Sequence, residues 1–235
     1  MPIANIRSNR TNYQVQEAFK TLRSNVEFSG EDMKVICITS ALPGDGKSTV
    51  SFELASAFAE SGKNTLMIDA DLRKSVMRRN IVSTDAKLGL THFLIGKASY
   101  EEVLVETSVR RLYMMFAGQF PPNPSELLSS KRFQNLVSSV REQFDVVLID
   151  TPPVGSVIDA AVVSRICDGT IMVLKDGAIS YRLAQRIKAQ LDTAGAKLLG
   201  CVLNQVDLSS NRYYGSYYGK YYGSYYGSSE SQPEK

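Results

Sequence analysis

Residues 34–49 read Lys34-Val-Ile-Cys-Ile-Thr-Ser-Ala-Leu-Pro-Gly-Asp-Gly-Lys-Ser-Thr49. The apolar, β-branched run Val35–Ile38 has the character of a strand buried on both faces, and it breaks into a glycine-bearing turn where a helix should begin. Gly44 and Gly46 permit a bend whose successive N–H groups point inward, and the helix that follows aims its positive dipole end at the same point. Lys47 then reaches the β- and γ-phosphates of a nucleotide, and the Ser48 hydroxyl is placed to ligate magnesium. The pattern Ala41-x-x-x-x-Gly46-Lys47-Ser48 between a strand and a helix therefore predicts a phosphate-binding loop in an α/β fold.

Working outward, the chain alternates helix and strand. Val50–Ser61 carries Phe52, Leu54, Ala55, Ala57 and Phe58 for packing on a sheet, and Gly62 closes that helix. A second strand, Asn64–Asp69, delivers two carboxylates, Asp69 and Asp71, at the edge where parallel sheets bind ligands. Leu88–Ile95 and Tyr100–Val105 read as short helices, and Arg111–Ala117 as a strand. Gly118–Ser125 is a proline-rich turn that ends with Ser125 as a helix N-cap. Asp145–Asp150 is a strand that must stop before Pro152 and Pro153, which leaves Asp150 beside the phosphates to support a metal. Val157–Cys167, Thr170–Leu174, Tyr181–Leu191 and Lys197–Asn204 complete the alternation. The predicted fold is a mostly parallel β-sheet flanked by helices on both faces.

Bulk properties set limits. A chain of 235 residues with 43% hydrophobic and 22% charged residues can bury a full core. A formal net charge of +3 gives no footprint for nucleic acid, although Arg7, Arg10, Lys20 and Arg23 make the N-terminal arm locally basic. Cys37, Cys167 and Cys201 show no metal spacing and read as reduced core thiols of a cytosolic protein. No apolar run approaches the ~18 residues of a membrane span. The single histidine, His92, is expected to be structural or exposed.

Both ends differ from the middle. Asn12–Phe28 has helical spacing, with Val15, Ala18, Phe19, Leu22 and Val26 on one side and Glu17, Lys20 and Arg23 on another. After Asn211 the chain becomes tyrosine pairs between glycines: Tyr213, Tyr214, Tyr217, Tyr218, Tyr221, Tyr222, Tyr225 and Tyr226 are eight of its twelve tyrosines. Such a segment lacks aliphatic residues for a core and is expected to be disordered. A phenol near pKa 10 is a latent nucleophile, and Asp69 or Asp71 can take its proton as a γ-phosphoryl group transfers. Three segments are expected: an arm and oligomerisation helix over 1–33, a nucleotide-binding domain over 34–208, and a flexible tail over 209–235.

These motifs, in this order, resemble the bacterial tyrosine kinases of capsule and exopolysaccharide synthesis, in their separate cytoplasmic form. The resemblance rests on Ala41–Thr49, Met67–Arg73, Pro121–Leu127, Val147–Pro153 and the tyrosine tail. It implies ATP and Mg2+ as cofactors, with Gly44, Asp45, Gly46, Lys47, Ser48 and Thr49 around the nucleotide and Asn204 at adenine. Lys47, Asp69 and Asp71 would act in catalysis, Ser48, Asp71 and Asp150 at the metal, and the eight tail tyrosines as acceptors between subunits. Glu17, Lys20 and Arg23 match a ring-forming motif, with lysine in place of its first arginine. The resemblance further implies recruitment to the inner membrane face by a transmembrane polysaccharide co-polymerase, and a cognate tyrosine phosphatase. The competing reading is an ATPase that positions division machinery or DNA; those carry a lysine at the loop's second place, where this chain has Leu42.

Overall fold

The computed structural model describes residues 1–7, 13–30 and 32–207. The strand that leads into the phosphate loop lies deep in a nine-stranded sheet. In chain order the first elements are β1 (Ile3–Ile6), α1 (Tyr13–Glu27), β2 (Val35–Ser40), α2 (Lys47–Glu60), β3 (Thr65–Asp69) and β4 (Ile81–Thr84). There follow α3 (Leu90–Leu94), α4 (Tyr100–Val103), β5 (Val105–Thr107), β6 (Leu112–Met115), α5 (Pro124–Ser129) and α6 (Lys131–Gln143). The last are β7 (Val146–Asp150), α7 (Asp159–Ser164), β8 (Gly169–Lys175), α8 (Tyr181–Thr193) and β9 (Leu198–Asn204). The sheet order is β4-β1-β5-β6-β3-β7-β2-β8-β9. From β6 to β9 in that order every pairing is parallel, so the carboxyl ends of six strands share one edge.

Period-two alternation explains why both faces are covered. Val35 and Cys37 of β2, Leu66 and Ile68 of β3, and Val147 and Ile149 of β7 pack with Phe133, Leu136 and Val140 of α6. Ile36 and Ile38, Met67, and Leu148 point the other way, onto Phe52, Leu54, Ala55 and Phe58 of α2. Asp168 staples the opposite edge: it accepts from the backbone N–H of Lys34 and Val35 and from Arg141 at 2.7 Å.

Several elements depart from the sequence reading. β1, β4 and β5 extend the sheet past β6, with β1 antiparallel to β4 and parallel to β5. On α1 only Val26 is buried; Val15 is 40% exposed and Ala18 is exposed, because the helix begins before it reaches α2. Asn123, not Ser125, is the N-cap of α5, since Pro124 takes the first helical position that suits its fixed φ. Cys37 is buried as expected, whereas Cys201 is exposed on the edge strand β9. His92 is structural: its Nδ1 accepts from the Gly89 N–H at 3.2 Å. No helix among the described residues is long and apolar enough to cross a membrane.

Candidate nucleotide and phosphoryl-transfer site

Three adjacent strands, β3, β7 and β2, end together, and each hands a motif to the same edge. β2 passes into the loop Ala41–Gly46, whose glycines Gly44 and Gly46 stand at φ 90° and 88°. Only glycine takes that left-handed region readily. No side chain caps the first turn of α2, which leaves its amino end facing the loop's concavity. The buried Asp45 carboxylate accepts from the Leu42 N–H at 2.8 Å, so it closes the loop upon itself. Asn204, at the end of β9, donates its amide to the Asp45 carbonyl at 2.8 Å and braces the loop from outside. Thr49 is exposed.

The acids converge on Lys47. Its Nζ lies 3.0 Å from Asp71 Oδ2, 3.3 Å from Asp150 Oδ2 and 3.1 Å from Ser48 Oγ. Burial works against its charge, but Asp150 and Asp71 outweigh burial and hold its pKa above the ordinary value. Asp150, 1% exposed, accepts from Ser48 Oγ at 2.7 Å and from Ser51 Oγ at 2.9 Å. Burial still raises its pKa, against the pull of Lys47 and the two hydroxyls. Asp69 stands beside Asp150 in register across β3 and β7. Burial, and then repulsion from Asp150, push its carboxyl up to about 7. Asp69 Oδ2 accepts a hydrogen bond from the Ser75 hydroxyl, and its Oδ1 accepts from the Asp71 N–H at 3.3 Å.

The structure thus brings Lys47, Ser48, Asp69, Asp71 and Asp150 together. Sequence reasoning missed Ser51, which sits one helical turn after Lys47 and fixes the second oxygen of Asp150. It also missed Ser75, and Gly155, where an added Cβ would lie 2.4 Å from the Ala41 carbonyl oxygen. Ser48, Asp71 and Asp150 carry oxygen donors that converge on the Lys47 ammonium, and such donors are of the kind that suits magnesium. Among the described residues no group of three or more His, Cys, Asp or Glu forms a metal site by itself. On α1, Lys20 pairs with Glu17 at 2.7 Å, and Arg23 donates to the Ala57 carbonyl of α2 at 3.3 Å. The eight tail tyrosines lie outside the described residues.

The fold and this loop define a nucleotide-binding α/β protein of the phosphate-loop class, and residues 33–193 match the AAA domain family. The tyrosine-protein kinase CpsD of Streptococcus agalactiae serotype III (strain NEM316) is 41% identical over 200 residues, 85% of this chain and 86% of its own length. The crystal structure of the chimerical protein CapA2B2 superposes with a TM-score of 0.79 at 32% identity, covering 86% of this chain and 93% of that one. The chain belongs to the bacterial tyrosine kinases, and it is a protein-tyrosine kinase. The septum site-determining protein MinD of Pyrococcus horikoshii, at 24% identity, TM-score 0.61 and 72% and 69% coverage, shares the fold alone.

Proposed function

We propose that the chain transfers the γ-phosphoryl group of ATP to its own C-terminal tyrosines, between copies, and thereby regulates capsular or exopolysaccharide polymerisation and export. The observation that carries this reading is the meeting of Lys47, Asp69, Asp71 and Asp150 at the phosphate loop, in a chain that carries paired tyrosines over 213–226. A phenol oxygen attacks the γ-phosphorus, the bond to the bridging oxygen breaks, and ADP leaves. Asp71 pairs with the Lys47 ammonium through one oxygen and accepts from the Lys74 N–H at 2.9 Å through the other. Asp69 already accepts a hydroxyl hydrogen bond from Ser75, the bond an acceptor phenol would make, so Asp69 takes the phenol proton. Lys47 places its charge against the transferring group. Ser48, Asp71 and Asp150 would hold magnesium, which supplies further positive charge to the phosphate oxygens.

By its likeness to the capsule kinases, the chain works at the inner membrane face with the cytoplasmic end of a transmembrane co-polymerase. It cycles through a ring-shaped homo-oligomer held by Glu17, Lys20 and Arg23, and a tyrosine phosphatase resets it. The decisive comparison is mass spectrometry of the full chain expressed with and without that activator, as wild type and as Lys47→Met. Phosphate on Tyr213–Tyr226 is expected in wild type with the activator and absent from the variant. Tail phosphate that persists in Lys47→Met would refute autokinase activity.

A further inference from the structure

Two of the sequence motifs contain residues with no part in phosphate handling: the arginine that ends Met67–Arg73, and Ser125 in the Pro121–Leu127 stretch. The structure joins them. Arg73 Nε donates to Asp159 Oδ2 at 2.7 Å and its Nη2 to Asp159 Oδ1 at 3.2 Å, a fork closed on one carboxylate. The same Nη2 donates to Ser125 Oγ at 2.9 Å, and Ser125 Oγ donates to Asp159 Oδ1 at 2.6 Å. The Asp159 side chain is wholly buried, while that of Arg73 is 35% exposed. The cluster therefore ties three separate pieces of the nucleotide edge: the loop after β3, the first turn of α5 and the first turn of α7.

A buried carboxylate is costly unless paired. This one is paired by a residue two positions after Asp71. The loop is fastened by buried Leu72 and Met77, but Arg73, Lys74 and Ser75 between them are exposed. Apolar packing alone leaves that stretch free to pivot. Asp71 holds Lys47 with one oxygen and the Lys74 N–H with the other, so a pivot there would carry Asp71 away from Lys47.

We infer that Arg73, Asp159 and Ser125 are positioning residues for phosphoryl transfer, a polar pin that keeps Asp71 against Lys47 by fixing the loop after β3. A displacement of about 1 Å in such a site costs about 100-fold in rate. The pin acts on geometry rather than on nucleotide affinity, since none of its three residues lies in the phosphate loop. Arg73→Lys is informative because an ammonium supplies charge to Asp159 without the planar fork that also reaches Ser125.

The test uses the full chain with its activator, as wild type, Arg73→Ala, Arg73→Lys and Ser125→Ala. Four quantities are measured: kcat and KM for ATP in tyrosine phosphorylation, ADP affinity by titration, and amide hydrogen exchange of residues 70–76 without nucleotide. For Arg73→Ala, kcat is expected to fall about 10- to 100-fold, while KM and ADP affinity stay within about threefold. Exchange over 70–76 should quicken while β3 keeps its protection. Arg73→Lys should fall between wild type and Arg73→Ala, and Ser125→Ala should lose severalfold in kcat with the fold intact. The inference is overturned if Arg73→Ala keeps wild-type kcat, if ADP affinity falls in step with kcat, or if exchange over 70–76 does not change. The exchange measurement needs no phosphoryl transfer, so it separates failure of the pin from failure of the tail-phosphorylation reading.

Discussion

At the scale of single residues, Asp69 shows what gathering acids costs the fold. It is 1% exposed beside Asp150, and its pKa rises from 3.8 to about 7. Between those two values the folded chain keeps a proton that the unfolded chain has released, so stability falls as pH rises through this window. The penalty is absent below about 3.8 and complete above about 7. Asp69→Asn removes the charge and with it the penalty. Without metal or nucleotide, the variant should melt a few degrees above wild type at pH 8, with the gain shrinking toward pH 5. Phosphoryl transfer should fall about 100-fold or more. Thermal melts at pH 5, 6.5 and 8 check the first claim; equal or lower stability of the variant at pH 8 would contradict the charge argument.

Elements explain what could be read from the chain and what could not. β2, β3 and β7 were legible because each is a five- or six-residue apolar run, buried throughout, that ends in a recognisable acid or loop. β1, β4 and β5 have three or four residues each, too few to display a period, and β1 finds partners about 80 to 100 residues away. Likewise Ser51 gains its role only because the fold brings Asp150 to it from 99 positions away. Gly155 belongs to the same group: its need for glycine comes from the Ala41 carbonyl in another segment, not from its own neighbours. Gly155→Ala forces a methyl group against the Ala41 backbone carbonyl at the entrance of the phosphate loop. ADP affinity should drop about tenfold or more while the circular dichroism spectrum is retained; unchanged affinity would show that the two loops separate freely. Helix α1 was legible as a helix but not in its packing, since Tyr13 and Val15 remain 66% and 40% exposed. If this face joins subunits, Val15→Asp should abolish self-association in light scattering and leave thermal stability within about 0.5 kcal/mol of wild type. A variant that still assembles would move the interface elsewhere.

The whole molecule is poised by charge. A chain of +3 carries eight tyrosines near one terminus, and each phosphotyrosine adds about −1.5 to −2. Full modification therefore adds about −12 to −16 and makes every copy strongly negative. In a ring the tails of neighbours are held at high local concentration, so like charges meet within the ~8 Å over which physiological salt leaves them unscreened. A contact across α1, if that face joins the copies, would gain nothing from phosphorylation to offset that repulsion. An assembly of the full chain with its activator should therefore remain intact without ATP, fall apart as tail phosphate accumulates, and reassemble on phosphatase treatment. Raising the salt should delay the dissociation, because screening weakens repulsion between exposed charges, whereas an opening driven by altered packing would show no such dependence. Size-exclusion chromatography before and after ATP and magnesium, at two ionic strengths, measures all of this. A version with phenylalanine at all eight tail positions should stay assembled throughout, and an oligomer that survives full modification at low salt would exclude the charge mechanism.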